Sequence, residues 1–464
     1  MKCLHLLFLF FHQNAFTLPF FCGKISTYRK GQAMKVSFLT LGCKVNQYES
    51  EAIAEALEAH GFVVVPFGEK ADATVINTCA VTTEGERKAR QMVRRAIHAS
   101  PNACICVTGC AAQLHPESFS SIKGVDFVLG NGKKMTSVDL ILSYLHEKRE
   151  KNEVQCFSES FDLSRFEPMA IEKSERTRAY IKIEDGCDSR CAYCIIKTAR
   201  GKVRSKPLNE ILKETKILLE KGYREIVLTG IEISAYGKDI GTDLITLLEA
   251  LDAMPNMVRI RLGSLDPSMF RPAFCERLAK IQNLCHHFHL SLQSGCSRTL
   301  AAMRRKNNAE QAMEAMANLR ALLCDVTFTA DIIVGFPGET DEDFNQTAKF
   351  LEEIKLLDCH IFAFSPRPGT EAADMKEQIN GDVKAQREKE LQQITKASRQ
   401  AVMESFLGKS AFVLFEEQKD GYNVGHTDNF LEVAVLSNQD LHNQIVKITF
   451  EKIENNRMIG SILF

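Results

Sequence analysis

Three closely spaced cysteines restrict this chain more than any other feature of its sequence. Cys187, Cys191 and Cys194 lie in the segment EDGCDSRCAYC, with three and then two residues between them. A structural zinc site usually closes with four ligands, but the next cysteine downstream is the distant Cys275. Three thiolates without a nearby fourth favour an iron–sulfur cluster that leaves one iron open for a ligand. Zinc, or thiols without a shared role, are the alternatives.

The length and the cysteine content fit a large protein of a reducing compartment. The chain has 464 residues, too many for one ordinary core, so about two to four domains are expected. Its 16 cysteines are spread along the chain, which favours metal or cluster sites in the cytoplasm over a disulfide framework. The net charge is −1, so a nucleic acid would have to bind local basic patches.

The first 33 residues differ from the rest of the chain. Residues 4–11 are nearly all apolar, but His12 ends this run before it could span a bilayer. No typical signal-peptidase site follows, and Met34 opens a strand-like run. We therefore predict that Met34 is the true start, that residues 1–33 are an extension outside the fold, and that the protein does not associate with a membrane.

Residues 34–148 alternate between strand and helix patterns. Strands are predicted at 36–41, 62–66, 73–77 and 103–108, and helices at 49–60, 85–99 and 138–148. This alternation is typical of an α/β domain with a mostly parallel sheet. Residues 149–175 are charged and without periodicity, so we predict a linker there.

Residues 176–402 predict a second α/β domain. Six strands are expected at 180–184, 225–229, 258–263, 289–293, 327–334 and 360–364, with helices between them. Repeated units of this length indicate a barrel or partial barrel, whose chemistry lies at the C-terminal ends of the strands. The three cysteines follow the first of these strands. Residues 403–464 contain short apolar runs separated by turns, which predict a small all-β barrel.

A second set of cysteines lies in the first domain. Cys43, Cys79 and Cys110 each follow a predicted strand. The ends of parallel strands meet at one edge of a sheet, so these thiols could surround one metal centre. Free cysteines are also common small core residues, and the spacing alone leaves both interpretations open.

Together the segments LGCKVNQYES, INTCAVT, TGCAAQ, EDGCDSRCAYC, TADIIVGFPGET and FSPRPGT resemble those of the radical S-adenosylmethionine (SAM) methylthiotransferases. The resemblance implies an N-terminal methylthiotransferase domain, a partial (β/α)6 radical SAM barrel and a TRAM-type β-barrel. It implies two [4Fe-4S] clusters: an auxiliary one on Cys43, Cys79 and Cys110, and a SAM-binding one on the first three cysteines. Further SAM contacts are expected from Tyr193, Gly230, Ser264 and Gly335; for Tyr193 the alternative is ordinary loop packing.

The residues KVNQYES after Cys43 resemble the branch of this family that modifies threonylcarbamoylated adenosine in tRNA. The reaction implied is methylthiolation of carbon 2 of adenosine 37, with SAM as both radical source and methyl donor. The resemblance also implies two partners, an electron donor such as flavodoxin or ferredoxin and a source of sulfur. The protein itself is expected to be a monomer. The alternatives are isopentenyl adenosine, a ribosomal-protein aspartate, or a non-enzymatic metal-binding RNA scaffold.

Two basic runs follow the cluster cysteines. Arg87, Arg90 and Arg94 recur on one predicted helix face, and Arg200 and Arg204 lie in a run after Cys194. Positive charge is what an RNA backbone requires, so we predict that these arginines contact the anticodon loop. The alternative is that both runs are ordinary solvated faces.

Overall fold

The structure is a computed structural model that describes residues 28–29, 32–147, 154–157 and 165–463. The predicted extension 1–33 lies mostly outside these residues, apart from the short antiparallel strands Tyr28–Arg29 and Gln32–Ala33. None of the described helices combines the length and the apolar composition that a bilayer span requires.

The first domain contains a six-stranded parallel sheet, as the alternating pattern predicts. In pairing order its strands are Val63–Val65, Lys35–Thr40, Ala73–Thr78, Cys104–Gly109, Phe127–Leu129 and Gln155–Phe157. The last strand lies inside the segment predicted as a linker. With three residues it is too short to show a periodic hydrophobic pattern.

Helices flank this sheet, and the first of them begins earlier than expected. The helices are Lys44–Ala59, Thr83–Ala99, Cys110–Leu114, Glu117–Ser120 and Thr136–Glu147. The first was predicted to begin at Glu49, whereas Cys43 caps its N-terminus. Its opening turns bury the polar residues Asn46 and Glu49, so a hydrophobic pattern could not reveal them.

The second domain is a partial barrel of six parallel strands. They are Arg178–Lys182, Glu225–Thr229, Arg259–Leu262 continued by Ser264–Leu265, His287–Gln293, Thr327–Val334 and Asp358–Ala363. The outer helices include Leu208–Glu220, Leu244–Asp252, Pro272–Leu278, Ala309–Leu322 and Asp341–Ile354. In the described part of the chain the first and last strands do not pair, so the barrel is open on one side.

A long helix, Gly381–Glu404, leads to the third domain. This domain is a closed five-stranded barrel of Ser410–Lys419, Tyr422–Thr427, Glu432–Leu436, Arg457–Ile462 and Ile445–Glu454. The predicted fold class, two α/β domains followed by a small all-β barrel, is therefore confirmed.

A loop of the third domain fills the N-terminal end of the central barrel. Phe430 has a left-handed backbone (φ 70°), and its ring stacks on His287 at 4.5 Å between centroids. The guanidinium of Arg261 lies 4.9 Å from the same ring and donates hydrogen bonds to the carbonyls of Thr427 and Asp428. An aromatic side chain from another domain therefore packs against this end of the central barrel.

Candidate functional site

The structure brings the three cysteines of the first domain together at one edge of its sheet. Cys43, Cys79 and Cys110 follow three strands that lie side by side, and Cys79 is within electrostatic range of the other two. Burial and these neighbours raise the pKa of Cys79 to about 11. Cys43 is exposed and Cys110 is buried, so the group is open on the Cys43 side.

Asn46 connects the loops that carry these cysteines. Its Nδ2 donates to the carbonyls of Leu41 (2.8 Å) and Thr78 (3.1 Å), which precede Cys43 and Cys79. Its Oδ1 accepts a hydrogen bond from Arg200 of the second domain at 2.6 Å. One buried amide therefore fixes two cysteine loops and the domain that faces them.

Two glycines are required where these loops approach one another. A side chain on Gly42 would place its Cβ 2.9 Å from Cys79 Cβ. A side chain on Gly109, which has φ +100°, would place its Cβ 2.3 Å from the carbonyl oxygen of Thr78. The Thr78 backbone cannot yield as a flexible side chain does, and Cys79 Cβ is fixed to its own backbone. Gly42 also has a positive φ (+105°), so both positions favour glycine on steric and conformational grounds.

The second group of cysteines lies in the loop after the first barrel strand, as predicted. Cys187, Cys191 and Cys194 are all partly buried. The backbone N–H of Ser189 donates to Cys187 Sγ (3.4 Å), and Arg305 Nη1 donates to Cys191 Sγ (3.5 Å). Burial, with Cys191 and Cys187 nearby, raises the pKa of Cys194 to about 12.

Arg200 and Arg204 do not lie on an RNA-binding surface, so that prediction is wrong. Their residues are 0 % and 3 % exposed. Arg200 Nε donates to Cys110 Sγ at 3.2 Å, and its Nη1 donates to Glu49 and Asp185, each at 2.9 Å. The basic run was interpreted as a surface because the carboxylates that bury it come from other parts of the fold.

The surrounding ion-pair network has more positive than negative charge. Its members are Glu49, Asp185, Lys134, Lys182, Arg200 and Arg204. Although burial alone would raise it, Arg200, Lys134 and Lys182 hold the pKa of Glu49 well below its ordinary value. These ion pairs thus join four buried basic side chains to two carboxylates beside Cys110, although burial lowers the pKa of Lys134. A third carboxylate, Glu167, lies within electrostatic range of Lys134 and Lys182, so basic side chains are still in excess. An anionic group ligated by thiolates would offset this excess, so the residues fit an iron–sulfur cluster.

The thiols of neither cysteine group are as close together as ligands of a single zinc ion would be. Two thiolates on one zinc lie at most about 4.6 Å apart, since Zn–S is about 2.3 Å. Within the described ranges, the group of three side chains whose ligand atoms all lie within 4.8 Å of one another is His289, Asp331 and His360. Neither set of cysteines is spaced for one zinc ion.

The predicted SAM contacts lie around the mouth of the barrel, but they differ in their surroundings. A side chain on Gly230 would lie 2.7 Å from Glu184 Oε2, and Glu184 Oε1 is buried without a hydrogen-bond partner. Ser264 is exposed, and Tyr193 lies beside Cys191 and Arg305.

Gly335 is a different case, because it is buried and its environment is already filled. Its N–H donates to Glu339 at 2.9 Å, and a Cβ there would meet Lys384. Its backbone donor is therefore in use within the protein.

Sequence reasoning missed three residues of the site. Glu184 is the first residue of the segment EDGCDSRCAYC, and its place there was an available signal. Arg305 donates a hydrogen bond to Cys191 Sγ, and Asn46 lies within the segment that follows Cys43. Without the fold, neither an arginine nor an asparagine at these positions indicates a contact with the site.

The first basic face stays on the surface. Arg87 and Arg94 are exposed and Arg90 is partly buried on the helix Thr83–Ala99, which follows Cys79. Arg87 pairs with Glu84 on the same helix. A positive face accessible to solvent therefore begins close to the first group of cysteines.

Two family models match the chain. The radical SAM superfamily matches residues 181–351, and the family described as "Uncharacterized protein family UPF0004" matches residues 35–130. These ranges contain all six cysteines of the two groups.

Curated relatives cover most of the chain. A threonylcarbamoyladenosine tRNA methylthiotransferase MtaB of Bacillus subtilis is 36% identical over 90% of this chain and 94% of its own length. The enzyme of the same name from Thermotoga maritima is 39% identical, over 81% and 85%. A tRNA-2-methylthio-N(6)-dimethylallyladenosine synthase of Thermodesulfovibrio yellowstonii is 30% identical, over 94% and 99%.

A solved structure shares the fold. The radical SAM methyltransferase TsrM of Kitasatospora setae, solved with cobalamin and a [4Fe-4S] cluster, superposes with a TM-score of 0.56. The match covers 74% of this chain and 77% of that one at 14% identity, so the likeness concerns the fold alone.

Proposed function

Because the chain belongs to the radical SAM methylthiotransferases that modify tRNA, we propose that its substrate is threonylcarbamoyladenosine at position 37. The product would carry a methylthio group on carbon 2 of the adenine. The observation that carries this choice is the identity of 36% and 39% to relatives named for that nucleoside, against 30% to a relative named for dimethylallyladenosine.

We assign the auxiliary cluster to Cys43, Cys79 and Cys110 and the SAM-binding cluster to Cys187, Cys191 and Cys194. Two clusters and SAM supply the radical and sulfur-transfer chemistry that amino-acid side chains cannot perform. The protein holds and orients these groups. Gly230 admits a ligand close to the backbone, Glu184 presents an unpaired buried oxygen, and Arg200 and Arg305 each donate to a cluster thiolate.

The anticodon loop of tRNA would enter between the two groups of cysteines. The exposed arginines of the helix Thr83–Ala99 supply positive charge beside Cys79, which suits contact with the RNA backbone. The reaction requires an electron donor such as flavodoxin or ferredoxin and a source of sulfur. We place the enzyme in the cytoplasm, acting as a monomer.

An in vitro assay tests the substrate. The reconstituted enzyme is incubated anaerobically with SAM, reductant and sulfide, and with tRNA carrying either threonylcarbamoyladenosine or isopentenyl adenosine. Nucleoside mass spectrometry should detect the methylthio product only with the first. Product only from the isopentenyl tRNA, or from neither tRNA, would contradict the proposal.

A cysteine variant provides the control for the two-cluster assignment. Cys79→Ala should still cleave SAM to 5′-deoxyadenosine but should form no methylthio product. Replacement of Cys187, Cys191 or Cys194 should abolish the cleavage itself. Normal product from Cys79→Ala would refute the auxiliary assignment.

A further inference from the structure

Lys44 is an unpaired cation inside the central barrel. It directly follows Cys43 and is accessible to solvent, yet the atoms packed around it, with Arg178 and Arg261, lower its pKa, while Glu225 and Asp331 act in the opposite direction. These four charged residues belong to four different barrel strands. In the part of the chain that the structure describes, no hydrogen bond or ion pair joins its ammonium group to an acceptor. The side chain therefore extends towards these barrel strands, and its ammonium group is free to bind a ligand.

A polar cluster faces Lys44 from three neighbouring strands. His289 Nε2 and His360 Nδ1 each lie 3.1 Å from a different oxygen of Asp331, and His289 Nδ1 lies 2.8 Å from Thr329 Oγ1. Lys44 is within electrostatic range of His360 as well as Asp331.

These contacts leave one ring nitrogen of the cluster available. Although burial alone would raise it, hydrogen bonds from His289 and His360 hold the pKa of Asp331 well below its ordinary value. An ionised carboxylate only accepts, so His360 donates through Nδ1, and this hydrogen bond with Asp331 raises the pKa of His360. Within the described ranges Nε2 of His360 has no partner, and both nitrogens of His289 are already engaged.

The last barrel strand relates this cluster to the SAM-binding loop. Phe364 packs with Ala192 in the cysteine loop, and His360, Phe362 and Phe364 alternate on one face of their strand. Four residues at about 3.3 Å each place His360 about 13 Å from Phe364. Phe362 lies between them with half its surface exposed. This face of the strand thus leads from the cysteine loop past an aromatic ring to His360, which lies within electrostatic range of Lys44.

The chemistry of the proposed substrate matches this order. In adenine, carbon 2 and the carbon that bears N6 both flank N1, so a substituent on N6 lies close to the atom that receives sulfur. The threonyl group on N6 carries a carboxylate, which a cation binds, and a hydroxyl, which can form a hydrogen bond with an imidazole nitrogen. Lys44, next to a cysteine of the auxiliary group, lies where such a substituent would be.

We propose that Lys44 and His360 bind the threonyl group of the substrate nucleoside, with Lys44 on its carboxylate and Nε2 of His360 on its hydroxyl. This inference rests on the proposed function and names the residues that select the nucleoside. An isopentenyl group would leave Lys44 without a partner, and a buried polar group without a partner opposes binding.

Binding to short RNAs tests the inference without turnover. Two synthetic anticodon stem-loops, with threonylcarbamoyladenosine or unmodified adenosine at position 37, are titrated into the reconstituted enzyme and followed by fluorescence anisotropy. The wild type should prefer the modified RNA. The preference is measured as the ratio of the Kd for the unmodified RNA to the Kd for the modified RNA. Lys44→Met should reduce this ratio about tenfold or more, equivalent to about 1.4 kcal/mol. Lys44→Arg should retain most of the preference.

A second variant and a control make the outcome decisive. Because Lys44 is next to a cluster ligand, iron content is measured for each variant. If Lys44→Met loses iron, the variant His360→Leu, at an exposed position, tests the inference instead. His360→Leu should also reduce the ratio of the two Kd values. Lys88→Met, on the outer helix, should weaken both RNAs equally. An unchanged ratio in Lys44→Met with full iron, or in His360→Leu, overturns the inference. A wild type that ignores the threonyl group and modifies isopentenyl tRNA instead overturns the proposed function.

Discussion

Arg200 should be a main determinant of the contact between the first and second domains. It belongs to the barrel domain, whereas Asn46, Glu49 and Cys110 belong to the first domain, and it is completely buried. Replacement by Met removes the guanidinium and preserves an apolar stem. We expect Arg200→Met to weaken the docking of these two domains.

The size of the effect follows from the charges that remain. Removing one partner of a buried ion pair costs about 3–5 kcal/mol. After Arg200→Met, Lys134 and Lys182 still neutralise Glu49, and Lys182 still pairs with Asp185. The lost stability should therefore lie near the lower end, at about 3 kcal/mol. Arg200→Lys retains the charge but not the planar guanidinium. Its free energy of unfolding should lie between that of Arg200→Met and that of the wild type.

Urea denaturation followed by circular dichroism under anaerobic conditions measures the change. Arg277→Met is a matched control, because Arg277 forms two hydrogen bonds with Glu249 (2.9 and 2.8 Å) on the exposed surface. Exposed pairs contribute about 0–1 kcal/mol. If Arg200→Met loses no more stability than Arg277→Met, the buried network does not stabilise the domain contact and the reasoning is refuted.

Three further predictions concern other parts of the molecule. Arg261, with the neighbouring arginines, lowers the pKa of buried Glu225 from 4.5 to about 2, so Glu225→Gln should cost about 3 kcal/mol of folding stability at pH 7. The stability that ionised Glu225 contributes is present above pH 4.5. Denaturation at a series of pH values should show this contribution lost as pH falls towards 2. Gly109→Ala should remove the auxiliary cluster and about half of the roughly eight irons per chain, whereas Gly381→Ala, with open space around its Cβ, should remove none. Arg90→Ala and Arg94→Ala should each reduce by about 1 the slope of log Kd for tRNA against log salt concentration; unchanged slopes would mean that this face is merely solvated.

The sequence predicted the strands and the position of both cysteine groups because these depend on local patterns. Hydrophobic alternation marks a strand, and a cysteine after a parallel strand lies at the functional edge of its sheet. The residues that surround the cysteines could not be predicted in this way. Arg200 meets Cys110 across 90 positions and Glu49 across 151, so its burial depends on how two domains pack. A run of basic residues has the same appearance in a sequence whether carboxylates or water surround it.

Phe430 links the third domain to the central barrel. Its ring fills the end of the barrel opposite the cysteines, where it lies among His287, His426, Arg178 and Arg261. Water excluded from a reaction chamber cannot quench reactive species there. We therefore expect that loss of the C-terminal domain would admit water at this end and raise the amount of SAM consumed per product formed, a defect distinct from weaker tRNA binding. A domain that contains none of the six cysteines would then affect how closely SAM consumption follows product formation.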